Sequence, residues 1–103
     1  MINILDLEQL TLASGGTRQE VSASQLNVEG AIFTAPSTNL GNVFIGSVSC
    51  SSTRYVLILE PGQSKAISVN VSEQSDSSFI NLKNIYWDGT TGDKLNVGYM
   101  IRG

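Results

Sequence analysis

Residues 64–72, SKAISVNVS, alternate apolar and polar side chains: Ile67, Val69 and Val71 fall on one side of an extended chain, Ser68, Asn70 and Ser72 on the other. A period of two marks a half-buried β-strand, because successive side chains point to opposite faces. Runs of this kind recur along the chain. Val21 and Ala23 alternate with Ser22 and Ser24, and Leu26, Val28, Gly30 and Ile32 share one phase. NVFIGSVSC (42–50) is partly apolar on both faces, as a central strand is, and RYVLILE (54–60), FINLKNIYW (79–87) and KLNVGYMIR (94–102) follow. In the last of these, Leu95, Val97, Tyr99 and Ile101 share a face.

Turn chemistry separates the runs. Pro61-Gly62 suits the two central positions of a type II turn, SEQSDSS (72–78) reads as a polar loop, and DGTTGD (88–93) reads as a hairpin connection with two glycines. The count comes to about eight short strands with no crossover helices, so the sheets are expected to be mainly antiparallel. Strands apolar on one side are buried by stacking two sheets or closing a small barrel. The pattern predicts an all-β fold, an antiparallel β-sandwich, jelly-roll-like and forming a single domain.

The first residues are less regular. Ile2 to Leu12 has apolar residues at 2, 4, 5, 7, 10 and 12, a spacing ambiguous between a short helix and an extended arm; the alternation at Leu10 and Leu12 favours extension. Ser14-Gly15-Gly16 then breaks the run. The expected organisation is an N-terminal arm over 1–16 and a β-sandwich domain over 17–103.

Composition agrees. The chain has 103 residues, enough for one core that needs no disulfide or metal. Charged residues are 15%, against about 25% in an ordinary soluble domain, and Ser, Thr, Asn and Gly supply 39 of the 103 positions. That mixture suits short strands joined by many turns. The net charge of −3 sits within residues 1–30, where Asp6, Glu8, Glu20 and Glu29 face Arg18 alone. With no basic patch, a nucleic-acid partner lacks its main energetic term. MINILDLEQL has neither a basic n-region nor a long apolar stretch, and no segment has bilayer-spanning length, so the expectation is a soluble protein made in a cytoplasm. In such a chain the sequon Asn70-Val71-Ser72 is read as chance.

Catalytic groupings are missing. The chain has no His, which removes Ser-His-Asp and Cys-His arrangements and the common zinc sites. Cys50 is the lone cysteine and is read as a small apolar strand residue. Gly41 to Gly46 has P-loop-like glycine spacing, but Ser47-Val48 stands where Lys-Ser/Thr is needed. Asp88 and Asp93 could pair for acid–base work or hold calcium, yet the loop lacks alternating oxygen ligands and Asp-Gly is a turn pair. Glu29 and Glu60 are read as solvated strand-edge carboxylates. No catalytic, cofactor-binding or metal-binding residue is expected, and the chain reads as a non-enzyme. Tyr55, Tyr86, Trp87 and Tyr99 could serve as core, interface rim or sugar platform; adjacent Tyr86 and Trp87 must face opposite ways, one into the core.

From residue 31 onwards the order of signals resembles small virion proteins of tailed bacteriophages. Such chains carry a strand ending A-P, an N-x-G-x-V-x-I-G stretch, L-x-P-G-x-S entering a Ser/Val-rich strand, then L-x-x-I-Y, a Gly/Asp hairpin and a closing strand. Here these are Ala35-Pro36, Asn39 to Gly46, Leu59 to Ser64, Leu82 to Tyr86, and Asp88 to Tyr99, over roughly residues 30–101. SVSCSSTRYVLILEPG departs from the pattern, with Ser-Ser-Thr-Arg where relatives are glycine-rich. The resemblance implies a capsid decoration (cement) protein or a related virion accessory. Its partner would be the major capsid protein, its place the capsid surface, and its form a homotrimer at local three-fold positions, with no cofactor. Residues 1–16 would then lie on a neighbouring subunit or on the shell. The alternatives are a carbohydrate-binding module for host attachment, using Tyr86 or Trp87, and another phage component of head fibre, tail or connector.

Overall fold

The computed structural model describes residues 2–68 and 80–102. Its longest strand is the last, β11 (Lys94–Arg102), and the first sheet is built around it. On one side β11 pairs with β5 (Gly30–Thr34), which in turn pairs with β8 (Ser64–Ser68); on the other it pairs with β1 (Ile2–Asp6) and β2 (Leu10–Thr11). A second sheet runs β3 (Gln19–Glu20), β10 (Tyr86–Asp88), β6 (Val43–Gly46), β7 (Leu57–Leu59). β4 (Asn27–Val28) and β9 (Ile80–Asn81) form a small third ladder, and every pairing is antiparallel. The two main sheets pack as a sandwich in one compact domain, as the period-two pattern predicts.

The core fills the space between the layers. Ala31, Phe33, Leu95 and Val97 enter from the first sheet; Val43, Ile45, Leu59 and Trp87 enter from the second. Tyr99 and Ile101 pack against this cluster, so the alternate face of β11 is the buried one, as its sequence reads. Trp87 is fully buried and Tyr86 only partly, which settles their opposite directions. The Pro61-Gly62 turn also forms as expected: Gln63 N–H donates to Glu60 C=O at 2.9 Å, and Gly62 holds the positive φ, 88°, that the third position of a type II turn requires.

Two bulges explain where the simple alternation fails. Asp6 faces Gly98 but Leu10 faces Leu95, so three residues, 7–9, oppose two, 96 and 97. The extra residue flips the phase, and both Leu7 and Leu10 therefore reach the core. Residues 2–12, expected as an arm set apart from the regular strands, are instead paired along β11, and Leu12 is a core residue at 1% exposure. The second bulge lies at Glu29-Gly30, where both residues oppose Met100: Gly30 is its ladder partner and Glu29 N–H donates to its C=O at 2.8 Å. Val28 points inward before it and Ala31 and Phe33 after it, which leaves Ile32 on the outer face and ends the shared phase expected for residues 26–32. Glu29, expected to be solvated, is buried at 6% because the bulge turns it under the sheet.

Other expected strands are shorter. The 42–50 run ends as strand at Gly46, and residues 47–50 turn, Cys50 N–H reaching Ser47 C=O at 2.9 Å. The 79–87 run is broken by a 3-10 turn at Leu82–Asn84, capped by the Asn81 side chain on Lys83 N–H. Residues 88–93 do not close a hairpin: β10 belongs to the second sheet and β11 to the first, so the chain crosses between layers there. Val69, Val71, the 72–78 loop and Phe79 lie outside the described residues.

Leu12→Ala should cost about 2–5 kcal/mol, the range for emptying a packed core site. Ile4→Ala, on the exposed edge, should change stability by less than about 0.5 kcal/mol. Urea unfolding of both variants checks the contrast; equal losses would show that β1 and β2 are bound into the core alike.

Candidate interaction surface

One end of the sandwich is tied together by two buried carboxylates. Asp93 accepts Leu40 N–H on Oδ1 at 2.8 Å and Gly41 N–H on Oδ2 at 2.9 Å. Beside it, the Asn39 amide acts as a strand surrogate, donating to Lys94 C=O and accepting Lys94 N–H, both at 2.8 Å. Asp88 accepts Gly16 N–H at 3.0 Å and Gly89 N–H at 2.8 Å on Oδ1. The two carboxylates that could have paired for chemistry are thus spent on separate loops, 14–17 and 39–41, and act as turn pins. Gly41 sits close against Thr90: a Cβ on it would lie 2.5 Å from Thr90 Oγ1, a side-chain atom that would have to turn aside. Its spacing from Gly46 therefore reflects loop docking; Gly46 lies in β6 and opens no helix.

This pinning fixes Leu40 in the open. Its backbone is held to Asp93 while its side chain is 83% exposed. An apolar residue inside the turn-forming stretch STNLGN was a legible sign of such exposure, because nothing in a tight loop offers it a core. Two further apolar places face solvent. On the outer side of the first sheet, Ile32 and Ile4 are exposed, and Asp6, Leu7, Ile32, Thr34, Asn96 and Gly98 border a shallow hollow of about 280 Å³. Over the second sheet, residues 47–56 fold back so that Tyr55 meets Phe44 with ring centroids 5.2 Å apart. There Ser47, Ser49, Arg54, Tyr55 and Val56 line a hollow of about 250 Å³, and Val56 is 76% exposed. Val56 sits inside an expected strand, and its exposure could not be read from alternation.

Cys50 holds this loop from beneath. It is buried, with its thiol donating to Phe44 C=O at 3.4 Å. Burial first, and the Asp88 carboxylate second, push the thiol up from its ordinary 9.0 to about 11, against a smaller pull from Arg18. It is a protonated packing residue, apolar in role as the sequence suggests, but it lies in the turn after β6 and not on a strand. Glu60, as expected, is exposed. Trp87 is withdrawn from any sugar platform by its place in the core, which leaves Tyr55 as an exposed aromatic and Tyr86 as a partly exposed one. Among the described residues no group of three His, Cys, Asp or Glu is placed to hold a metal, and no helix is long and apolar enough to cross a membrane.

Two measurements test these assignments. Asp93→Asn leaves one of two part-buried N–H donors without a matched acceptor and should lower stability by about 1 kcal/mol. For Cys50 the folded thiol keeps its proton up to about 11 while the unfolded one loses it near 9.0, so stability is full below pH 9 and falls as pH rises toward 11. Denaturant unfolding of Cys50→Ala should lack that part of the alkaline decline; an identical slope in both proteins would refute it.

No protein-family model matches the chain, and neither a curated protein nor a solved structure matches it.

Proposed function

We propose that the protein is a bacteriophage capsid decoration (cement) protein, which binds the major capsid protein in the assembled head and stabilises the shell across subunit seams. The reading is carried by one observation: bare apolar side chains, Leu40, Val56 and Ile4, stand on backbone fixed by turns and sheet ladders. Residues held this way lose little conformational freedom on docking, so most of their burial energy goes into adhesion. The segments that carry the resemblance fall on this frame. Ala35-Pro36 leaves β5, Asn39 to Gly46 spans the pinned loop and β6, Leu59 to Ser64 makes the β7–β8 turn, and Leu82 to Tyr86 runs from the 3-10 turn into β10. Action of this kind is mechanical. Many copies, each bound weakly, add free energy that shell opening must overcome.

A carbohydrate-binding module is the second reading. Tyr55 favours it, half exposed beside the Ser47 and Ser49 hydroxyls and Arg54, a set that could stack on and hydrogen-bond a sugar.

Cosedimentation separates the two. The protein should pellet with assembled heads of the phage that encodes it and ignore unassembled capsid protein. Burying one Leu or Val side chain is worth about 1.5–3 kcal/mol, so Leu40→Asp or Val56→Asp should weaken head binding about tenfold or more. Indifference to heads, with glycan binding lost in Tyr55→Ala, would move the assignment to the second reading.

A further inference from the structure

The first sheet ends in two edges of different character. β8 carries Lys65 between serines and alanine, the polar and charged dressing that keeps an edge from pairing. β1 reads INILD, with neither Pro nor Lys, and Ile4 and Leu5 are 74% and 42% exposed. Among the described residues no strand pairs with its outer side.

The ladder shows which groups face outward. Leu7 N–H donates to Val97 C=O at 3.0 Å, one step past the Asp6–Gly98 rung, so Asp6 and Gly98 are a non-hydrogen-bonded pair of the β1–β11 register. Antiparallel pairs alternate, which makes Leu5–Tyr99 and Asn3–Ile101 bonded pairs. Ile2, Ile4 and Asp6 lie between them and direct their N–H and C=O groups away from β11. The edge therefore offers three evenly spaced donor–acceptor sites, centred on Ile4.

We propose that β1 pairs with β1 of a second copy about a two-fold axis through Ile4, joining two first sheets into one continuous sheet. In that register Ile4 bonds Ile4 of the other copy, and Ile2 bonds Asp6 in both directions, which satisfies all three outward residues of each chain. The exposed Ile4 side chains meet on one face. The acidic charge does not oppose it: the two Asp6 residues lie four positions apart along the paired strands, about 13 Å, beyond the roughly 8 Å screening length at physiological salt. An isologous contact closes on itself and makes a dimer, in place of the homotrimer that the resemblance implies, without further growth. A five-residue edge is smaller than a standard interface, so the association is expected to be weak and concentration-dependent.

Sedimentation equilibrium of the full chain tests this, with a dimer of twice 11.0 kDa, 22.0 kDa, expected as concentration rises. Ile4→Lys, which puts like charges at the axis, should raise the dissociation constant at least about tenfold with the thermal midpoint of the dilute monomer unchanged. Ile4→Pro removes a donor that β11 does not use and should also give monomer, whereas Ala66→Lys on the β8 edge should leave the dimer intact. Hydrogen exchange of the unaltered protein gives a reading that needs no variant: amides of Ile4 and Asp6 should slow as the dimer forms, while those of Leu5 and Leu7 are slow throughout. A wild-type monomer at millimolar concentration, a trimer, or a dimer in which Ile4 and Asp6 amides exchange freely would overturn the proposal.

Discussion

Strand β11 carries the first sheet. It is bonded on one side to β5 and on the other to β1 and β2, and its Leu95 and Val97 form part of the floor on which the second sheet rests. Both of its side-chain faces have a settled fate, one packed and one turned outward, so a slip of one residue would exchange them and expose the core set. The two bulges are read most simply as adjustments to this strand. At 7–9 and at 29–30 the neighbouring chain takes up an extra residue so that Leu10 and Leu12 on one side, and Ala31 and Phe33 on the other, meet β11 in phase.

The layers are held in register by different means at their connections. Passage between sheets at 60–63 rests on the Pro61-Gly62 turn and on bonds linking Ala35 with Gly62 and Gln63. At 35–42 and 89–93 it rests on Asn39 and Asp93, whose side chains replace missing backbone partners. Buried polar groups of this kind are stable because each is matched, and they orient the loops more strictly than apolar contact alone would. Exposed apolar residues stand on those oriented loops. That ordering, core first, pins second, bare side chains last, is what makes adhesion a reasonable use of the fold.

Much of this was legible in the amino-acid order. The alternation in 94–102 marked the right buried face, Pro61-Gly62 marked the right turn, and the adjacency of Tyr86 and Trp87 required one to be buried. What escaped reading was set by residues distant in the chain. A bulge has no local signature when the extra residue is Leu7, Glu8 or Gln9, so residues 2–12 looked like an irregular arm. Glu29 looked solvated because a carboxylate beside glycine usually is; only the pairing with Met100 carries it inward. Asp88-Gly89 has good hairpin chemistry, but nothing local states that β10 and β11 belong to different layers. Val56 was least legible, since its exposure depends on what fails to cover it.

The pairing of Ile2 with Arg102 sets the two extremities of the described chain side by side at one corner of the molecule. A pull applied between them would separate β1 from β11 like a zipper, one rung at a time and at low force. A pull that instead slid β1 lengthwise past β11 would meet every rung of that ladder at once. Mechanical resistance along this ladder therefore depends on the direction of the pull.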